Sequence, residues 1–323
     1  MRRHIITGGA GFVARYLIEV LAPLGEEIVL FDQLPIDNLP QGVRAITGNI
    51  CSREDVEKIG LLPEDIVYHL AARQFMTRIP YFGRTAWFSE VNVAGTDVVL
   101  KAMEKHGTTK LVFFSTDMTY GLHQTSFTPP DHPQVPLGPY GKSKVQAEAL
   151  MRSAQAKGLS ATVFRPRLIA GRGRLGILTK LFELIYHNLP VPMIGSGDNR
   201  YQMVSVRDCA KAAVKAMEMQ CPSGFFNLGS TNPPKSRDLL KALIAHAGSH
   251  SILIPTPATP VKWVLSGLDT LGLTLMYPEQ YIIADKDITL DTSYTTKTFG
   301  WSPAETDISI LIDAYDGYVS GKG

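Results

Sequence analysis

Cysteine is scarce in this 323-residue chain: there are 3, Cys51, Cys209 and Cys221. Their odd number, wide spacing and lack of any C-x-x-C pattern argue against a disulfide framework and a zinc site, and favour a reducing compartment. An excess of either charge is also missing. With 32 Lys and Arg against 30 Asp and Glu, the net charge of +2 is too small to recruit nucleic acid or anionic lipid. No apolar run is long enough to span a bilayer; the most apolar late stretch, Val261 to Met276, is short and carries Lys262 and Asp269. The first six residues reach glycines before an apolar run develops, so they read as no signal peptide. Internal repeats, low-complexity tracts and metal-ligand spacings of His, Cys and acids are absent too. These absences lead us to expect a soluble, cytoplasmic protein with no metal and no nucleic-acid or membrane partner.

What is present is alternation. Short, nearly all-apolar runs at Ile5–Thr7, Ile28–Phe31, Val43–Thr47, Ile66–Leu70, Leu111–Ser115 and Ala161–Phe164 suit parallel strands covered on both faces. Helical patterns lie between them; Val13, Leu17, Val20, Leu21 and Leu24 fall on one helix face. Strands alternating with helices predict an α/β fold, a doubly wound parallel sheet with right-handed crossovers. After Pro166 the pattern loosens. The expected division is a dinucleotide-binding domain over 1–170, its sheet completed by about 203–229, and a smaller α/β substrate domain over 171–202 and 230–323. Ser236 is the expected N-cap of a helix running to His246, and Val261–Leu273 a further helix.

Thr7-Gly8-Gly9-Ala10-Gly11-Phe12-Val13-Ala14 follows the first strand and opens the first helix. Gly8 permits the tight turn, Gly11 lets the backbone approach a pyrophosphate, and Ala14 lets the helix pack on the sheet. The helix N-terminus offers free N–H groups to phosphate. Asp32 ends the second strand 21 residues after Gly11, where a carboxylate accepts bonds from the adenosine ribose and repels a 2′-phosphate. Gln33 and Leu34 add no positive charge, so the expected cofactor is NAD, not NADP.

Five motifs in order, TGGAGFVA at 7–14, HLAA at 69–72, NVAGT at 92–96, STDMTYG at 115–121 and PYGKSK at 139–144, resemble the extended short-chain dehydrogenase/reductase family. The resemblance implies a Rossmann domain with a small substrate domain, a nucleotide-diphosphate sugar as substrate, and a homodimer. It implies that Gly8, Gly11, Phe12, Val13, Asp32, Asn49, Ile50, Leu70, Ala71, Ala72, Asn92, Tyr140 and Lys144 contact NAD. It makes Tyr140 the acid/base, Lys144 its partner on the same helix face, and Thr116 the group that orients substrate, with Asp117 beside it. An N-cap role explains Asn92 equally well. His123 and His132 read as solvated loop residues.

Two departures bear on the reaction. In S-T-D-E-V-Y-G, the signature of nucleotide-sugar 4,6-dehydratases, the Glu is the base at the α-carbon; Met118 stands there and cannot take a proton. Epimerisation, expected at C4, needs no such base. In R-Y-F-N-V-Y-G the Asn contacts the substrate diphosphate; Leu168 stands there, which leaves open a net dehydrogenase of a non-nucleotide alcohol. Against that, Arg167, Arg172, Arg174, Arg200 and Arg207 crowd the segment expected to wrap the substrate. Arg167 and Arg200 are the expected phosphate contacts, since guanidinium forks suit phosphate oxygens.

Overall fold

The computed structural model describes residues 2–75, 79–123, 125–173 and 176–322. Its strands are β1 (Arg3–Thr7), β2 (Glu27–Asp32), β3 (Val43–Thr47), β4 (Ile66–His69), β5 (Lys110–Phe114), β6 (Ser160–Pro166), β7 (Leu168–Ala170), β8 (Val191–Ile194), β9 (Met203–Ser205), β10 (Gly224–Leu228) and β11 (Leu253–Thr256). The helices of the first half are α1 (Phe12–Leu21), α2 (Arg53–Glu57), α3 (Arg84–Ser89), α4 (Thr96–His106) and α5 (Pro139–Ala156). Those of the second half are α6 (Ile177–Tyr186), α7 (Val206–Glu218), α8 (Ser236–His246), α9 (Ala258–Thr270), α10 (Pro278–Tyr281), α11 (Ser293–Phe299) and α12 (Asp307–Ser320). No helix among the described residues is long and apolar enough to cross a membrane.

Seven strands form one parallel sheet in the order β10-β6-β5-β4-β1-β2-β3. Successive strand residues face opposite sides, and both sides are apolar. Ile6, Ile28, Leu30, Ile66, Tyr68, Val112 and Phe164 join one core with α1 and α7. Their neighbours Ile5, Val29, Phe31, Val67, Leu111, Phe113 and Val163 join the other with α4 and α5. The chain reverses direction across the sheet between β1 and β4, and a crevice opens there at the strand C-termini.

The small domain has its own core. β7 pairs with β9 and β8 with β11 outside the main sheet. Leu178, Phe182, Leu239, Leu243, Ile310, Leu311 and Tyr315 pack together around them. The expected boundaries shift in two places. β7, expected in the first domain, leaves the main sheet and takes with it β9, expected to help complete that sheet; β10 alone completes it. Conversely, α11 and the turn after it return to the first core: Phe299 and Trp301 pack there, and the Trp301 indole N–H donates to Asp208 O at 3.0 Å. Ser236 is the first residue of α8 and not its cap; that position is Lys235, and Ser236 Oγ donates to Asn199 O.

A buried polar cluster fastens α5 to the sheet. Arg165, on β6, forks onto Glu148 of α5, Nε to Oε1 at 2.9 Å and Nη2 to Oε2 at 2.6 Å. Its Nη1 donates to Tyr120 Oη and Pro130 O, and Ser115 Oγ and Gln134 donate to the same carboxylate. Glu148 is 0% exposed, so removing either charge strands the other out of water. Glu148→Ala is expected to cost about 3–5 kcal/mol in urea denaturation. Glu148→Leu with Arg165→Met should cost clearly less; equal losses would mean that the pair's charges are not what matters.

Candidate active site

The crevice between β1 and β4 is a cavity of about 370 Å³. The turn after β1 forms one wall. Gly8 has φ +74°, and a Cβ there would lie 2.7 Å from Ala71 N, so both conformation and space require glycine. Gly11 is the N-cap of α1 and supplies no side chain to that helix end. The positive end of α1 therefore faces the cavity, which Gly11, Phe12 and Val13 line. Asp32 is held at the end of β2 by two backbone donors, Ala10 N to Oδ2 and Leu34 N to Oδ1, both at 3.1 Å. Phe12, Val13, Asn49, Ile50, Leu70, Ala71 and Ala72 line the same space.

The far wall comes from β5 and α5. Thr116, just past β5, accepts Met118 N at 3.3 Å and so caps a short turn while lining the cavity. Tyr140 and Lys144 line it from one face of α5. The Tyr140 ring sits against Phe75 and Phe88 at 5.1 and 5.5 Å. Lys144 is 2% exposed and donates to Phe114 O at 2.7 Å. Burial lowers its ammonium to about 8, against the opposing pull of Glu148. His69 is enclosed, bonded by Thr7 and Thr96 on its two ring nitrogens, and burial holds it down to about 3.

Between these walls lies an ion pair. Arg167 Nη1 stands 3.0 Å from Asp117 Oδ2, with both residues buried and both lining the cavity. Met118 lines it beside them.

Some expected residues are elsewhere. Arg200 is exposed, outside the cavity lining, in an isolated bridge to Lys235 with its N–H bonded to Asp287. Arg172 and Arg207 share Asp313, and Arg174 lies outside the described residues. Asn92 is buried behind the wall in a wide π-type turn, Glu90–Gly95, within a continuous helical run, so it neither starts a helix nor lines the cavity. Its side chain accepts Arg73 N and donates to Arg73 O and Ser143 Oγ, and Ser143 Oγ donates to Tyr140 O. Asn92 thus pins the loop after β4 to α5. The histidines of the β5 loop are not solvated: His132 is 8% exposed, and His123, bonded to Thr128, is lowered to about 4 by burial.

Arg73, Gln74, Phe75 and Glu90 also line the cavity, as does Gln280 of α10. Only Gln280 was beyond local reasoning. The others neighbour recognised motifs and follow once the loop after HLAA is taken as wall.

A profile of the NAD dependent epimerase/dehydratase family matches residues 4–229. The chain belongs to that family. Among the family's relatives, protein y4nG of Sinorhizobium fredii is 26% identical over all of this chain and 80% of its own length. The dTDP-D-glucose 4,6-dehydratase of Mus musculus is 29% identical over 75% of this chain and 72% of its own. The fold superposes on the UDP-glucose 4-epimerase of Thermotoga maritima, solved with UDP-glucose, with TM-score 0.80 and 24% identity over 99% of this chain and 100% of that one. The family cofactor is NAD, and the residues fit it: the N-terminus of α1, which no side chain caps, and a fixed strand-end carboxylate stand side by side on one continuous cavity, joined through Ala10 N and Asp32 Oδ2.

Asp32→Ala should weaken NAD about tenfold, the worth of a charge-assisted hydrogen bond, and narrow the preference over NADP. Fluorescence titration with both nucleotides reads this; an unchanged preference would count against the role of Asp32. The buried Lys144 gives a second expectation. An unfolded lysine holds its proton to about pH 10.4, so the cofactor-free chain gains stability as pH rises from about 8 to 10. Denaturation midpoints for wild type minus Lys144→Met should rise across that window, and a flat difference would contradict the desolvated ammonium.

Proposed function

We propose that this chain is an NAD-dependent nucleotide-sugar 4-epimerase with Tyr140 as acid/base. The observation that carries this reading is the acid inventory of the cavity. Among the described lining residues the carboxylates are Asp32, Glu90 and Asp117. Asp32 belongs to the ribose end, Glu90 pairs with Arg73 at 2.6 Å, and Asp117 is matched by Arg167. Met118 stands where elimination would need a base. A site with a proton acceptor for the alcohol but none for the α-carbon favours a redox-neutral round trip over dehydration.

Tyr140 takes the proton of the sugar hydroxyl and later returns it. Thr116 holds the reacting oxygen, and Lys144 keeps the phenol and the cofactor ribose in register. NAD supplies the hydride acceptor and the return donor. Asp32 holds the adenosine ribose, and the N-terminus of α1 holds the pyrophosphate. Arg167 contributes to the substrate end in company with Asp117. The UDP-glucose in the Thermotoga maritima enzyme and the substrate named for the mouse relative support a nucleotide hexose, and a homodimer belongs to the same reading. A second reading, net oxidation of a non-nucleotide alcohol, draws on Leu168 and on the outward position of Arg200.

Purified protein is to be incubated with UDP-, dTDP-, GDP- and CDP-hexoses, with products followed by NMR and NADH absorbance recorded alongside. A 4-epimer without NADH build-up is expected, and Tyr140→Phe should slow it by roughly 10²–10⁴-fold. A 4-keto-6-deoxy product, or NADH formed only with a non-nucleotide alcohol, would sink the proposal.

A further inference from the structure

The helix that carries Tyr140 begins without a cap of its own. Its N-cap is Gly138, which has no side chain to accept an N–H. Pro139 has no N–H, and the Lys142 N–H already bonds Gly138 O at 3.0 Å. The donors left over are those of Tyr140 and Gly141. Both go to one carboxylate: Tyr140 N to Glu279 Oε1 and Gly141 N to Glu279 Oε2, each at 2.9 Å. Glu279 is 4% exposed and comes from α10, 138 residues beyond Gly141.

Space and energy both mark the arrangement as built. A Cβ at Gly138 would lie within 2.6 Å of the Glu279 side chain, so a local cap and Glu279 compete for one position. The Gly138 backbone is extended, so conformation alone does not demand glycine there. Burial pushes the Glu279 carboxyl above its ordinary range, opposed by the two N–H groups and by Lys142. An ordinary capping side chain satisfies one helix-end donor; this carboxylate satisfies two. Its neighbours reach the site: Tyr277 stacks on Phe75 at 5.2 Å, and Gln280 lines the cavity.

We propose that Glu279 is a positioning residue that holds the first turn of α5, and with it the Tyr140 ring, in register with the cavity while α10 is seated. The proposal rests on the reading of Tyr140 as acid/base. Glu279 itself lies outside the cavity lining and acts through the helix end. A sugar nucleotide held against Gln280 thereby steadies the phenol that takes its proton.

The test compares the NAD-loaded wild type with Glu279→Gln, Glu279→Ala, Gly138→Ser and the double variant Gly138→Ser/Glu279→Ala. Gln keeps one of the two oxygens and sets an NH2 donor against the other N–H, so it cannot reproduce both bonds. In the double variant, Ser occupies the vacated space and caps the helix locally. In Glu279→Ala, kcat should fall about 100-fold, the cost of a misplacement of about 1 Å, with KM changed less than about threefold. The double variant should recover about five- to tenfold of that loss, the worth of a local cap. Gly138→Ser alone should lose activity. If Glu279→Ala fails to fold, Glu279→Gln supplies the same comparison. Hydrogen–deuterium exchange over residues 139–142 reads the cap without substrate: faster in Glu279→Ala, slowed again in the double variant. Wild-type kcat in Glu279→Ala, or a folded double variant with no recovery, overturns the proposal. If no hexose turns over, the functional reading falls, and exchange alone judges Glu279: equal protection in wild type and Glu279→Ala overturns it.

Discussion

The buried Arg165–Glu148 fork fixes where α5 lies, and the chemistry depends on α5. Tyr140, Lys144 and Glu148 follow one another at four-residue intervals, so they share one helix face. Clamping Glu148 to β6 therefore sets the height of Lys144 over β5 and of Tyr140 over the cavity. Two further ties act along the same helix. Asn92 reaches it through Ser143, and Glu279 closes its first turn. All three are polar contacts inside an apolar surround, where an unmet donor or charge is expensive. Apolar burial holds the layers together, but it is non-directional. Register within a layer falls to these few directional bonds.

Desolvation shapes the same region. Lys144 is driven down to about 8 because its ammonium has lost water and received one carbonyl and a nearby carboxylate in exchange. Protein groups alone leave that charge only partly compensated. On the proposed reading, a cofactor ribose hydroxyl and the Tyr140 phenol complete the coordination of the ammonium. The cofactor-free fold thus carries electrostatic cost at the place where a ligand is to sit, the usual trade between stability and function.

Local geometry was legible in the sequence; distant closure was not. The Gly8–Gly11 turn, Asp32, and the Tyr140–Lys144 spacing are set by φ, by strand ends and by helix periodicity, and each can be read within a few residues. The seven-stranded sheet followed from apolar runs whose two faces are both covered. Asn92 was misread because an N-cap signature says nothing about a helix that started eight residues earlier and widened at that point. Arg200 was expected inside because it follows a recognised motif, yet its backbone pairs with that of Lys235 and its side chain is exposed. Glu279 was invisible because its only signal is complementary: a glycine where a helix wants a cap, and an acid in a remote four-residue helix. Phe299 and Trp301 were assigned to the wrong domain because sequence order carries no record of a chain doubling back.

The departure at Met118 and the placement of Arg167 gain meaning together. The S-T-D-E pattern would place two carboxylates at the mouth of β5. This chain keeps one, Asp117, and sets a guanidinium 3.0 Å from it. A buried pair of this kind has little net field, but breaking it leaves an uncompensated charge worth about 3–5 kcal/mol. Arg167 is therefore not a free receptor for anions; a phosphate drawn to it must outbid Asp117 or join it. The pair instead forms a nearly neutral, hydrogen-bonding stretch of wall next to Thr116, whose Oγ1 donates to Asp117 Oδ1 at 3.3 Å. On the proposed reading, such a wall suits a neutral sugar ring better than a phosphate.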